Sequence, residues 1–242
     1  MTLELSYLSL TLFINIILIL FGFKAIKAST NDSKLNLRRK TILILALSLW
    51  QIYIFAIASS GLIYSFDFPP RFALFTIVPL FLFTSVFFRR QQNKKWITAI
   101  PASWLFIFQS FRILVESIFV ATVTAGILHK EVTILGYNYD MIFAISVPII
   151  FLFVFILKIV SKKLILFWDY LGLTVIASII FVFMTTIYIP EMYGYVETPA
   201  PLEMTKYPYV LIAGFLMPVA VFVHVWSIVR YHKTKNHSSS ST

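Results

Sequence analysis

The chain contains no cysteine, which removes disulfides, thiolate nucleophiles and cysteine-bound metal together. Charged residues are scarce as well: they make up 12% of the 242 residues, against about a quarter in an ordinary soluble domain. Of the four histidines, only His224 falls inside an apolar stretch. A zinc centre of several membrane-depth histidines is therefore excluded, as is a haem held by a histidine pair, and no cofactor is expected. No His-Glu-x-x-His, Gly-x-Ser-x-Gly or phosphate-binding loop occurs, so the common hydrolase and nucleotide signatures are missing too.

What is there is apolar. Hydrophobic residues reach 60% and aromatic residues 17%, with a mean hydropathy of +0.89, the composition of an integral membrane protein. Seven apolar runs can be drawn: Leu5 to about Ile26, Lys40 to Tyr64, Arg71 to Phe88, Trp96 to Leu128, Asp140 to Val160, Leu164 to Tyr188, and Pro208 to Val229. Each is near or above the ~17 to 25 residues that cross a bilayer as helix. Barrel strands would show shorter, alternating segments. The expected fold is all-α and polytopic: one seven-helix transmembrane domain over residues 1–235, then a Ser-rich, disordered cytoplasmic tail over 236–242. No positive n-region precedes the first run, which reads as a retained helix rather than a cleaved signal.

Charge fixes the orientation. Lys24, Lys27, Lys34, Arg38, Arg39 and Lys40 follow the first run, and Arg89, Arg90, Lys94 and Lys95 the third; Lys158, Lys162 and Lys163 follow the fifth, and Arg230, Lys233 and Lys235 the seventh. By the positive-inside rule that side is cytoplasmic, so the N-terminus is outside and the C-terminus inside. The net charge of +10 is thus spread over short loops. It reads as topology with anionic-lipid contact, not as a nucleic-acid surface, and the expected location is the bacterial inner membrane.

Two regularities point inward. Trp50 and Trp104 lie some 8 to 10 residues into their runs, about 12 to 15 Å deep, where either packing or a cavity wall would use them. Pro79, Pro148 and Pro218 sit at similar depth in the third, fifth and seventh runs. Each frees a carbonyl and tends to kink its helix, so together they would splay the outer halves into a vestibule.

The fourth run supplies polar groups to line it. Gln109, Arg112 and Glu116 fall within a sector of about 60° on a helix turning 100° per residue. Charge at that depth costs roughly 2.5 to 3.5 kcal/mol per residue on insertion scales, so such groups face protein or water. Arg112 and Glu116, spaced i, i+4, either pair with each other as a helix clamp or bind a ligand or ion. Arg71 and Asp140 open their helices near the outer surface and could form the mouth. Asp169 and His224 share a depth nearer the cytoplasm and could exchange protons. The expected ligand set is therefore Arg112, Glu116, Gln109, Arg71, Asp140 and Trp104, with no metal site.

Known seven-helix families fit poorly. A retinal protein needs a lysine in its last helix, and Pro208 to Val229 has none. The Asp-Arg-Tyr and Asn-Pro-x-x-Tyr signatures of G-protein-coupled receptors are missing. The chain does resemble a group of uncharacterised bacterial seven-span membrane proteins. The resemblance rests on Pro69-Pro70-Arg71, Pro101 with Trp104 ahead of Gln109, Arg112 and Glu116, Gly136 to Asp140, Trp168-Asp169 with Gly172, and Pro208 to His224. It implies a fold and no activity. Three functions follow from the residues: binding a small molecule or ion among the helices for transport or sensing, a structural or accessory membrane subunit, and an intramembrane lipid-modifying enzyme.

Overall fold

The first helix starts where Thr2 accepts a hydrogen bond from the backbone of Leu5 (3.3 Å), and it ends with Lys24 and Lys27 in its last turn. Side-chain oxygen at the start and positive charge at the end are the two ordinary helix boundaries. In the computed structural model, which describes residues 2–239, this is α1 (Leu3–Lys27). Asp32 caps α2 (Ser33–Ser59) by accepting from Lys34 and Leu35. There follow α3 (Arg71–Thr76), α4 (Val78–Gln91), α5 (Ala102–Phe108), α6 (Phe111–Thr124), α7 (Asp140–Phe151), α8 (Lys163–Tyr188) and α9 (Met217–Ser239). No strand occurs among the described residues. The rest of the expected tail, 240–242, lies outside them.

Among the described residues, six helical stretches are long and apolar enough to cross a membrane: Leu3–Lys27, Ser33–Ser59, Arg71–Gln91, Ala102–Thr124, Lys163–Tyr188 and Ile212–Lys235. Asp140–Ile156 is a shorter apolar helix. Leu12, Leu20, Leu49, Ile52, Leu82, Phe83, Ile142 and Phe167 are all exposed on these helices. A water-soluble monomer rarely shows so much large apolar surface, whereas a membrane protein turns it to lipid.

Loop contacts gather the helix ends into two sets. At the end where α1 begins, Tyr209 donates to Glu4 (3.0 Å), His129 meets Thr186 (2.9 Å) and Tyr195 donates to Glu131 (2.5 Å). At the opposite end, Trp226 donates to the carbonyl of Ile97 (3.0 Å), Arg230 to that of Ile100 (2.8 Å) and Lys233 to that of Lys94 (2.5 Å). These α9 side chains satisfy carbonyls in and beside a 3₁₀ turn (Lys95–Thr98) ahead of Pro101, where the α-helix of the expected fourth run has not yet begun. Proline restricts the residue before it and lacks an N–H, so α5 starts only at Ala102.

The expected continuous helices are interrupted near their prolines. α3 and α4 break at Ile77 beside Pro79. A π turn (Leu152–Ile156) follows Pro148, and another (Ile212–Leu216) precedes Pro218. Pro79 has no N–H for the carbonyl of Phe75, and Pro218 has none for that of Gly214. Both carbonyls are taken up by α2: Tyr53 donates to Phe75 (2.9 Å) and the Trp50 indole to Gly214 (2.8 Å). Side chains of one neighbouring helix thus satisfy two of the three breaks.

Candidate functional site

α6 is set apart from α5 by a tightened turn, in which Gln109 and Ser110 bond back to Phe106 and Ile107, and Arg112 and Ile113 bond back to Gln109 and Ser110. These three-residue closures replace the α pattern just before the charged residues and fix the face on which they emerge. Arg112, Glu116, Asp140, Asp169 and His224 are all at least 95% buried.

Arg112 is the hub. Its Nε donates to one oxygen of Asp140 (3.0 Å) and its Nη2 to the other, a two-oxygen fork between α6 and the first turn of α7. Its Nη1 meets His224 Nε2 on α9 (2.9 Å), and its guanidinium lies 4.9 Å from the Phe143 ring centroid. On the far side of the imidazole, Nδ1 meets Asp169 on α8 (2.9 Å), whose second oxygen accepts from Ser227 (2.5 Å).

An arginine only donates, so His224 Nε2 must accept, and its one proton sits on Nδ1, facing Asp169. The imidazole is therefore neutral in this arrangement, and the line Asp140–Arg112–His224–Asp169 is a chain of alternating donors and acceptors across four helices. Gly172 makes room for it: a Cβ there would lie 2.4 Å from His224 Cε1 and 2.5 Å from Nε2. Trp168 closes the ring's other flank at 5.1 Å and stacks on Phe143 at 4.1 Å.

Glu116 stands beside this chain. Its Oε1 accepts from Asn138 (2.9 Å), while Oε2 is buried with no hydrogen-bond partner among the described residues. Asn138 also donates to the carbonyl of Val132 (2.9 Å) and accepts from the backbone of Asp140 (2.7 Å). It thereby holds both acidic side chains in register. Glu116, Arg112 and Asp140 line a cavity of about 40 Å³ whose remaining walls are apolar, among them Phe111, Phe119 and Ile176. A larger chamber of about 70 Å³ shares the walls Phe119, Ile179, Ile212 and Met217 with it and extends to Leu128, Met204 and Tyr209.

Several expected roles are corrected by this geometry. Arg112 is paired with Asp140 and His224 rather than with Glu116, because the fork across helices offers two oxygens where the i, i+4 partner on its own helix offers a poorer approach. Asp140 is drawn inward by that pairing, so it does not form a mouth with Arg71, which is exposed at the start of α3. Trp104 is 46% exposed and lies under Lys24 Nζ (3.8 Å), away from the cavity. Gln109 is buried on the expected face but donates to the carbonyl of Ala220 (3.3 Å). Asn15 turns away from the cluster and donates back to the carbonyl of Thr11 (2.9 Å).

Asn138 and Ser227 were not singled out from the sequence. The signal for Asn138 was present as an asparagine two residues before a helix-opening Asp, a spacing suited to an Asx turn. Ser227 is three residues after His224 and so shares its face. Among the described residues, no group of three or more metal-ligating side chains is gathered. No family model matches the chain, and neither a curated protein nor a solved structure matches it.

Proposed function

We propose that the chain is a seven-span inner-membrane protein, N-terminus outside and C-terminus cytoplasmic, that binds a small ion or molecule at Glu116 to transport or sense it. Membership of the bacterial group it resembles is part of the same proposal. Counting Asp140–Ile156 as a span gives an odd number of crossings. That agrees with loops 60–70, 125–139 and 189–208 lying at the end where α1 begins, opposite the basic loops. Those basic loops are suited to anionic lipid headgroups.

The observation that carries the reading is Glu116 Oε2, a buried carboxylate oxygen with no partner among the described residues, on a side chain that lines a cavity with Arg112 and Asp140. Buried polar atoms are nearly always bonded, and the exceptions mark strain or a binding role. At about 40 Å³ the cavity takes roughly three water-sized bodies, since each needs about 10 to 15 Å³. Ligand size at the charged centre is limited accordingly. The test is binding and proteoliposome flux over a panel of ions and small solutes, with wild type, Arg112→Ala and Glu116→Gln. Loss in Glu116→Gln supports the reading. Unchanged function in folded variants rejects it.

The scaffold reading has its own support in the Arg112–Asp140 fork, which joins α6 to α7 and leaves the guanidinium engaged. It expects Arg112→Ala to lower thermal stability without touching any ligand response. The lipid-enzyme reading gains the Asp169–His224 contact, but that pair is enclosed by Trp168, Gly172 and Ser227 and offers no surface to a lipid.

A further inference from the structure

Resting on the binding centre proposed above and narrowing its ligand, we infer that Glu116 is a proton-binding site: its carboxyl takes up and releases a proton inside the bundle. The charge inventory of the cluster leads there. Arg112 brings one positive charge, and Asp140 meets it with both oxygens. His224 is neutral so long as it accepts from Arg112. Asp169 receives hydrogen bonds on both oxygens, from His224 and Ser227. Glu116 is the acid left over. It has a single donor, Asn138, and in ionised form it would be a second anion beside Asp140 around one arginine.

The groups that face it are few. Arg112 faces it from its own helix, Asn138 and Asp140 from the start of α7. α8 contributes Ile176 and Ile179, and α9 with its preceding π turn contributes Ile212, Leu216, Met217 and Ala220. None of these can titrate, and none offers an oxygen to a hard cation. A hard metal cation takes about six oxygen ligands, whereas Glu116 has one carboxylate oxygen without a partner among the described residues. A proton needs only that one.

Exchange needs water, and the larger chamber lies next to the cavity. The 40 Å³ cavity shares four residues with the 70 Å³ chamber, at whose far end lie Tyr7 and Tyr209. Tyr7 meets Thr122 (2.8 Å), and Tyr209 reaches Glu4 at the surface (3.0 Å). Thr122 is six residues beyond Glu116, about 9 Å along α6. Few waters would span that distance.

The test is infrared difference spectroscopy of the full chain in lipid nanodiscs, titrated from acid to alkaline pH. The expected result is one component of the carboxylic-acid C=O absorption that disappears as pH rises, is missing in Glu116→Gln and persists in Asp169→Asn. If the glutamine variant does not fold, Glu116→Leu, which fills the cavity with hydrocarbon, takes its place. Persistence of that component without Glu116, or no such component in wild type at any pH at which it is folded, overturns the inference. Its failure is separable from that of the broader reading. Ligand-dependent flux with Glu116 ionised throughout removes only the proton site, and a titrating Glu116 without any flux or ligand response removes only transport and sensing.

Discussion

A buried charge is stable only in company, and the Arg112–Asp140 fork shows what that requires. Removing one partner of such a pair leaves the other uncompensated and typically costs about 3 to 5 kcal/mol, while replacing both with hydrocarbon costs far less. Arg112→Met should therefore lower the unfolding temperature in detergent substantially, and Arg112→Met with Asp140→Leu should recover much of the loss. A double variant less stable than the single one would contradict the pairing. His129 gives a second residue-scale prediction outside the spans. Burial pushes its pKa down to about 4 from 6.5, partly opposed by Glu131. The unfolded chain binds the proton first, so this residue costs nothing above pH 6.5 and destabilises increasingly as pH falls towards 4. A gap of that size corresponds to about 3 kcal/mol. Replacing His129 with Gln should flatten the acid limb of the stability–pH curve over that window, as read by thermal unfolding.

Helix α2 owes its place in the bundle to what it donates. Its Trp50 and Tyr53 supply hydrogen bonds to carbonyls that Pro218 and Pro79 leave without an N–H, and Ile54 packs where a Cβ on Gly214 would intrude (2.7 Å). A buried carbonyl left unsatisfied costs about 1 to 3 kcal/mol. Trp50→Phe should lose about that much, and less in a Pro218→Ala background, where residue 218 regains its N–H. Equal losses in both backgrounds would mean that the proline is unrelated to the indole contact. Helix α8 behaves similarly at Gly172: an added methyl must displace His224, and over-packing of this kind costs about 1 to 3 kcal/mol. Gly172→Ala should be tolerated better once His224→Ala has removed the ring, measured as a double-mutant cycle.

For the molecule as a whole, orientation is the open experiment, and the lack of cysteine makes it clean. Single cysteines at Val196, 92% exposed, and at exposed Ser161 lie on opposite ends of the bundle. A membrane-impermeant thiol reagent added to intact cells should label Val196→Cys and leave Ser161→Cys untouched until the membrane is opened. The reverse pattern would invert the topology. At this scale the apolar composition, helix positions and charge asymmetry were all legible from the chain, because a bilayer imposes length and hydrophobicity on each crossing independently. The breaks near Pro79, Pro148 and Pro218 were legible as positions. Their consequence was not, since the donors that close two of them sit some 20 and 160 residues away.

The sequence by itself determined that this is a helical membrane protein with one polar stripe on its fourth apolar run and an Asp and a His at matching depth. Those properties are set by composition and by the period of a single helix. Only the tertiary structure decided the partners: Arg112 turned to Asp140 and His224, Trp104 fell outside the cluster, and Asn138 came to hold Glu116 by one oxygen. The reason is geometric. Which face of one helix meets which face of another depends on packing among all of them, and a buried charge takes the partner whose hydrogen-bonding fork fits rather than the one nearest in sequence.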